Sequence, residues 1–463
     1  MWLPLFSMVW IILILGLFLY VISHPSAFEK IPHSIILLII SGLMLRTVPA
    51  FFLVPASNYD IESYRLVSQH VITFTDVYRA EDTSNRHPYL PFQMYWMGFS
   101  RLLSEKIPVP FESVVRLEPI AADILVSLLI FDYLSRRRKE NPAQLMGPPL
   151  WGGLLYAVNP IAIYVSSYHS QFDSLPILFL ITAILAAYNG KVVSSGLWIG
   201  FGILIKSWPI LILPSLFEYF RKFRQKFQLL LFSSLVPIIA VAIYCLIYNS
   251  RVLTVIKRAV TYNHGIGIWG YTYLIREVGS LWKNAIPIIN IYFGLSKFVT
   301  LAVLIIVWLL VARKQNLLAG TMTILLSFLA FSHAFSIQYL LWLVPFAILD
   351  DQVRWLKLYT LSAFTYMFLA YHALILQTSI TPIMLTAHVD ELIKPVGLLT
   401  WVVLLAWIWR RIRGGGPTNI NVSQKYIILT EDNAGSDSVN TVHDSRRTNE
   451  FELPELTPAA NSR

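Results

Sequence analysis

The stretch SIILLIISGLMLRTVPAFFLV, residues 34–54, is soon followed by NYDIESYR, residues 58–65. The first stretch is apolar and long enough for a helix that crosses a bilayer, which takes about 20 residues. The second stretch brings two carboxylates, Asp60 and Glu62, to the end of that helix. A carboxylate held where a membrane helix meets water can perform acid–base chemistry. The pair therefore predicts a catalytic loop next to a membrane.

The composition predicts an all-α, polytopic membrane protein. Apolar residues make up 56% of the 463 residues, charged residues make up 13%, and the mean hydropathy is +0.61. Apolar stretches recur along the chain and predict about 11–13 transmembrane helices. The single cysteine, Cys245, excludes a disulfide framework and a cysteine-based metal site. The expected spans are residues 2–22, which we expect to be retained rather than cleaved, 34–54, 118–135, 148–167, 174–189, 229–249, 287–312, 317–334, 338–350, 358–376 and 393–409.

Basic residues in short loops predict which helix ends face the cytoplasm, because Arg and Lys beside membrane helices stay on that side. Counting from these clusters places several polar loops and turns on the extracytoplasmic face. A further basic cluster at 221–226 fits only if residues 195–216 form a re-entrant hairpin or two half-helices. The cytoplasmic clusters are residues 136–139, 313–314, 354–357 and 410–413. The outer segments are about 55–117, 169–173, 250–286 and 336–338.

Composition also divides the chain into two regions. Residues 414–463 are polar and cannot bury enough apolar surface to fold alone, so we expect a disordered cytoplasmic tail after a membrane domain at 1–413. In that domain the long outer loop at about 55–117 can form interfacial helices that cover a site. The outer loop at about 250–286 has an excess of basic residues, which indicates anionic lipid headgroups or a phosphate.

Polar residues in the outer turns are candidates for a binding site. His169, Gln171 and Asp173 occupy one turn and could hydrogen-bond sugar hydroxyls, and His169 can carry a proton near neutral pH. A helix-capping turn, with Asp173 or the following serine as the cap, is the alternative. Gln338 and Tyr339 lie at another outer helix end, where an interfacial aromatic belt would also explain the tyrosine.

Two further segments have both a functional and a plain interpretation. The glycine-rich, aromatic segment at 262–270, which contains His264, could close over a phosphate-bearing ligand or could be a flexible connector. Asp60 and Glu62 could likewise be a solvated, helix-capping pair at the membrane boundary. Their position beside the bilayer favours the catalytic interpretation.

These motifs, in this order, resemble the GT-C superfamily of integral-membrane glycosyltransferases, especially mannosyltransferases that use a polyprenyl-phosphate sugar. The resemblance covers roughly residues 34–350. In the family the acidic motif usually follows the first helix and is often Asp-x-Asp or Asp-Glu, whereas here it follows the second predicted helix and is Asp-x-Glu. The similar features are Asp60 to Glu62, Asn159-Pro160 to Asp173, Gly196 to Lys206 with Trp208-Pro209, and Gln338 to Pro345.

The resemblance implies transfer of a hexose, most often mannose, from a polyprenyl-phosphate carrier to a glycan or lipid acceptor. The reaction would take place at the extracytoplasmic face and invert the anomeric centre. Asp60 would be the general base and Glu62 its helper. The implied substrate-binding residues are His169, Gln171, Asp173, Gln338 and Tyr339. Candidate cations for the leaving phosphate are Arg251, Lys257, Arg258, His264 and Lys206.

The same chemistry sets expectations for cofactors and partners. A polyprenyl-phosphate donor requires no nucleotide-binding domain and no cofactor, although Asp60 and Glu62 could hold a divalent metal. The expected partners are the lipid-linked donor, a glycan or lipid acceptor and membrane lipids, without nucleic acid.

A transporter or flippase of lipid-linked sugars is the competing interpretation, and a non-catalytic scaffold is a third. In a transporter, Lys206 and the interrupted segment 195–216 would form the pathway. A transporter should place its acids in the middle of the membrane, whereas Asp60, Glu62 and Asp173 are predicted at one outer interface. A scaffold would not need polar loops gathered on one face.

Overall fold

The computed structural model describes residues 2–53, 58–140, 147–261, 265–379 and 388–413, and these residues are helical without β-strands. The predicted all-α, polytopic fold is confirmed. The predicted tail at 414–463 lies outside the described residues. The α-helices are α1 Trp2–Ser23, α2 Ser34–Val48, α3 Tyr59–Ile72, α4 Gln93–Ser104, α5 Phe111–Val115, α6 Leu117–Glu140, α7 Pro149–Ala157, α8 Pro160–Ile163, α9 Ser174–Tyr188, α10 Val192–Ile205, α11 Leu213–Tyr219, α12 Phe223–Ile247, α13 Val252–Thr261, α14 Gly270–Leu281, α15 Ile286–Leu310, α16 Leu317–Phe331, α17 Leu343–Leu349, α18 Val353–Ser379 and α19 His388–Arg413.

Five helical segments among the described residues are long and apolar enough to cross a membrane. Other apolar helices are shorter, and several of them pack in the interior around a large aliphatic and aromatic core. The five segments are Leu5–Ser23, Ser34–Leu53, Phe223–Ile247, Lys283–Lys314 and Pro395–Arg413.

The predicted span at 148–167 is interrupted at Asn159-Pro160, where α7 gives way to α8. Proline has no N–H to donate to a preceding turn, so the helix cannot continue through Pro160 without losing a bond. Asn159 begins the next helix instead, because its Oδ1 accepts the backbone N–H of Ile161 at 3.0 Å. One turn of π-helix then leads to the polar turn at 169–173.

The segment 195–216 is two helices rather than one. Helix α10 ends at Ile205, Lys206 is extended with φ −141° and ψ 140°, and a short 3₁₀ helix leads to α11. The interruption at Lys206 is what both predicted arrangements, the re-entrant hairpin and the two half-helices, require. Gln225 and Gln228 near the start of α12 line the same groove as the turn at 190–191. The basic cluster at 221–226 therefore lies near the end of α10 that is remote from Lys206.

The long predicted loop at 55–117 contains α3, α4 and α5, which pack together over a second apolar core. Helix α12 anchors this assembly through Tyr244, which is fully buried. The Tyr244 hydroxyl donates to Asp76 Oδ1 at 2.8 Å and accepts the backbone N–H of Val77 at 2.9 Å. These two bonds attach the loop after α3 to a membrane helix.

We expect Tyr244→Phe to lower the free energy of unfolding by about 1–3 kcal/mol, because it leaves the buried N–H of Val77 unpaired and removes one of the two hydrogen bonds that Asp76 Oδ1 accepts. Thermal unfolding in detergent measures the effect. Tyr248→Phe is the matched control, since the Tyr248 hydroxyl makes only a 3.4 Å bond to the Val71 carbonyl. Equal losses in both variants would contradict an anchoring role that is specific to Tyr244.

Candidate active site

The acidic motif forms the first turn of α3, and a different residue caps that helix. Asn58 Oδ1 accepts the backbone N–H of Ile61 at 2.9 Å, so neither carboxylate is needed as the cap. Asp60 Oδ2 instead lies 2.9 Å from His169 Nε2, with 28% of the Asp60 side chain exposed. Glu62 is exposed and, two positions further along the helix, projects from another face. The structure thus brings Asp60, but not Glu62, to His169.

The surroundings of Asp60 keep its carboxylate ionised. Burial raises the pKa of Asp60, but the hydrogen bond and charge of His169 lower it. Gln171 and Lys206 lower this pKa further, and the net result is a pKa below the ordinary value. At neutral pH the Asp60 carboxylate is therefore negatively charged and able to accept a proton.

Asp173 forms a second charged centre in the same turn. Its Oδ2 lies 2.6 Å from Lys206 Nζ, and its Oδ1 accepts from Trp342 Nε1 at 2.8 Å. Lys206 Nζ also donates to Gln171 Oε1 at 3.2 Å. Asp173 occupies the N-cap position of α9 but makes no capping bond through its side chain. Because α10 ends before Lys206, the Lys206 side chain lies at the polar turn.

Aromatic rings enclose the Lys206 ammonium group. Its Nζ lies 4.7 Å from the centre of the Phe172 ring and 5.4 Å from that of Tyr89. Only 5% of the Lys206 side chain is exposed, and Asp173 is fully buried. Because the ring faces are electron-rich, they stabilise the cation where water is excluded.

Gln338 and Tyr339 reach the polar turn through intermediate residues. The hydroxyl of Tyr371 donates to Gln338 Oε1 at 3.1 Å, and the Tyr371 ring stacks on His169 with 3.9 Å between ring centres. The ring of Tyr339 stacks on Trp342 at 4.2 Å. Gln338 is thus linked to His169 by contacts through Tyr371, and Tyr339 is linked to Asp173 by contacts through Trp342.

Among the predicted phosphate-binding cations, Lys206 lies with Asp60 and Asp173. Arg258 donates to the carbonyl of Tyr78 at 3.1 Å and to Ser84 Oγ at 2.6 Å, so it binds the loop after α3. Arg251 and Lys257 are exposed at α13, and neither contacts the polar turn within the described ranges. His264 lies outside the described residues.

The candidate metal ligands do not form a group. Asp60 and Glu62 project from different faces of α3, so they do not offer a joint pair of carboxylates. In the part of the chain that the structure describes, no three His, Cys, Asp or Glu side chains are grouped as metal ligands would be. The divalent metal stays a prediction.

Two residues of the site were not anticipated as such from the sequence. Trp342, which binds Asp173, lies inside the quoted stretch from Gln338 to Pro345, so its motif was identified but its role was not. Tyr371 lies in the apolar helix α18, and nothing in its local sequence distinguishes it from a core tyrosine. Only the three-dimensional contact with His169 shows that it belongs to the site.

Comparison with known proteins gives two partial similarities. Residues 91–263 match the family described as PIG-U, GPI transamidase subunit PIG-U. GPI mannosyltransferase 1 of Candida albicans (strain SC5314 / ATCC MYA-2876) is 23% identical over 129 residues, which are 28% of this chain and 27% of that protein. The match thus spans little more than a quarter of the relative. The resemblance of this chain to GT-C-like membrane glycosyltransferases is confirmed.

Proposed function

We propose that this protein is a membrane hexosyltransferase that moves mannose from a polyprenyl-phosphate carrier to a GPI-type glycolipid, at the extracytoplasmic face. The observation that carries the proposal is the Asp60–His169 pair beside the buried Lys206–Asp173 pair. A base and a cation in one water-poor site are what such a displacement requires. The similarity to a GPI mannosyltransferase supports both the sugar and the acceptor.

The proposed reaction is one displacement at the anomeric carbon of the donor. The acceptor oxygen forms a bond to C1 while the bond from C1 to the phosphate oxygen breaks, which inverts the configuration. Asp60 takes the proton of the acceptor hydroxyl, and His169 fixes the orientation of its carboxylate. The carrier leaves as polyprenyl phosphate, and the positive charge of Lys206 stabilises the negative charge that develops on it.

A groove beside α10 suits the lipid chain of the carrier. It has a volume of about 840 Å³ and runs between α10 and the start of α12. Trp198 and Phe201 line it, and the Phe201 ring lies 6.4 Å from Phe92 in the loop that carries α3 and α4. Tyr89 lies in the same loop as Phe92, and its ring covers the Lys206 ammonium group. The groove runs along α10 from the turn at 190–191 to Phe201, so an isoprenoid chain in it would have one end, the end at Phe201, directed toward Lys206.

The PIG-U match supports a second candidate, a non-catalytic subunit that binds a GPI glycolipid. Such a subunit would use the same polar turn to bind sugar hydroxyls without a transfer step. Both comparisons name GPI, so the proposed ligand is the same for the two candidate functions. The candidates differ in whether a sugar is transferred to that ligand.

A transfer assay distinguishes the two candidate functions. In this assay, purified protein is incubated with radiolabelled polyprenyl-phosphate mannose and a GPI glycolipid. We expect labelled glycolipid, with polyprenyl-phosphate glucose as the matched donor control. Binding of the glycolipid without product from any polyprenyl-phosphate sugar would overturn the enzyme proposal in favour of the subunit. Movement of the intact donor across a vesicle membrane, again without product, would favour a transporter.

A further inference from the structure

Three buried polar groups near the Asp60–His169 pair have no hydrogen-bond partner among the described residues. They are the hydroxyl of Tyr64, the hydroxyl of Ser170 and the Nε–H of Arg116. The three residues are 4%, 2% and 1% exposed. A buried polar group without a partner is costly, so most such groups in folded proteins are paired. Such groups also occur elsewhere in the described chain, but these three lie beside the Asp60–His169 pair, where a ligand can complete their hydrogen bonds.

Tyr64 belongs to the same face of α3 as Asp60. The two residues are four positions apart on a helix, which places their side chains side by side. Burial raises the pKa of Tyr64 well above its ordinary value, and the charge of Asp60 raises it further. The hydroxyl is therefore protonated and can donate. Its ring lies 6.0 Å from that of Phe172, which ties it to the polar turn.

Ser170 and Arg116 border the same turn. Ser170 separates His169 from Gln171 and has a φ of +68°, a conformation that is unfavourable for a residue with a side chain. Arg116 Nη2 donates to the carbonyl of Tyr168 at 3.3 Å, so its guanidinium group lies against the start of the turn. Strain and unpaired donors thus occur together next to the proposed base.

The charges of the site select the chemical class of the ligand. Asp60, which is partly exposed, offers an acceptor, while Tyr64, Ser170 and Arg116 offer donors; both oxygens of Asp173 are already bonded to Lys206 and Trp342. A hydroxyl group can donate to the Asp60 carboxylate and accept from the Tyr64 hydroxyl at the same time, whereas an ionised phosphate has no proton to donate to Asp60. A molecule with several hydroxyl groups satisfies both sets of partners.

We propose that Tyr64 and Ser170 bind the sugar hydroxyls of the acceptor, and that Tyr64 holds the reacting hydroxyl against Asp60. This inference rests on the proposed function for the identity of the sugar, but the binding itself requires no transfer. It adds Tyr64 and Ser170 to the predicted substrate-binding residues; both are uncharged, and their hydroxyls have no partner among the described residues.

Tyr64→Phe tests the proposal because it removes only the oxygen atom. In the free protein we expect a melting temperature equal to or above that of the wild type, because no bond is lost. Octyl mannoside should raise the melting temperature of the wild type, and the concentration needed should increase about three- to tenfold in the variant. Ser170→Ala should behave in the same way. Tyr78→Phe is the control, because the Tyr78 hydroxyl does have a partner, the Tyr89 carbonyl at 2.6 Å, and its loss should lower the melting temperature.

These melting-temperature measurements can contradict the proposed sugar site in several ways. A lower melting temperature for free Tyr64→Phe, or unchanged octyl mannoside binding, would overturn the proposal. Absence of any response of the wild type to octyl mannoside beyond that to octanol would also overturn it. If the wild type transfers no mannose but its mannoside response still depends on Tyr64, the enzyme proposal fails while the sugar site stands.

Discussion

Replacing Asp60 by Asn is expected to reduce mannose transfer about a thousandfold, within the range of about 10²–10⁴ that general acid–base catalysis contributes. Asn has nearly the same shape and can still meet His169, but it cannot accept the proton of the acceptor hydroxyl. The pKa of Asp60 is below its ordinary value, so the wild-type carboxylate is ionised at pH 7 and the comparison is made between a base and a neutral amide. Transfer per folded molecule, with folding checked by thermal unfolding, measures the effect.

Glu62→Gln is the matched variant on the same helical turn. Because Glu62 is exposed and projects from another face of α3, we expect its transfer rate to change less than about tenfold. Undiminished transfer by Asp60→Asn would assign the base to another residue. Equal losses in the two variants would show that the motif acts as a pair, as its sequence suggests.

Local sequence patterns locate the helix ends that carry the candidate residues, but they do not determine which of these residues meet. An apolar stretch that ends in Asp60, a polar turn with His169 and Asp173, and a helix interrupted at Lys206 are all local patterns of polarity and proline. Such patterns predict helix ends well because they depend on neighbours in the chain. That Asp60 meets His169 and that Lys206 meets Asp173 depends on tertiary packing.

The cationic loop shows why an excess of charge in the sequence does not determine what each basic residue contacts. Lys257 and Arg258 are neighbours in sequence and share the same predicted role, yet Arg258 binds the Tyr78 carbonyl and Lys257 is exposed. On a helix, adjacent residues face different directions, so a count of charges does not determine what each one contacts. Lys206 was notable in the sequence because a lone lysine in an apolar segment is costly unless it has a partner.

The second large effect is expected for Lys206→Met, which should lower the free energy of unfolding by about 3–5 kcal/mol. The variant leaves Asp173, which is fully buried, without the cation 2.6 Å away. A loss of this size is a large part of the stability of a typical domain, about 5–15 kcal/mol, so we expect poor yield and a marked decrease in melting temperature. Lys206→Arg, which keeps the charge, is the control and should lose less.

A double variant separates the role of Lys206 in folding from its role in transfer. In Lys206→Met with Asp173→Asn neither side chain is charged, and Asn can still accept the bond from Trp342. Replacing both members of a buried pair is far less costly than removing one, so we expect the double variant to regain most of the lost stability. Transfer should nevertheless remain at least about a hundredfold low, because no cation is left to stabilise the leaving phosphate. Recovery of transfer together with stability would mean that Lys206 supports the turn and that another cation meets the carrier.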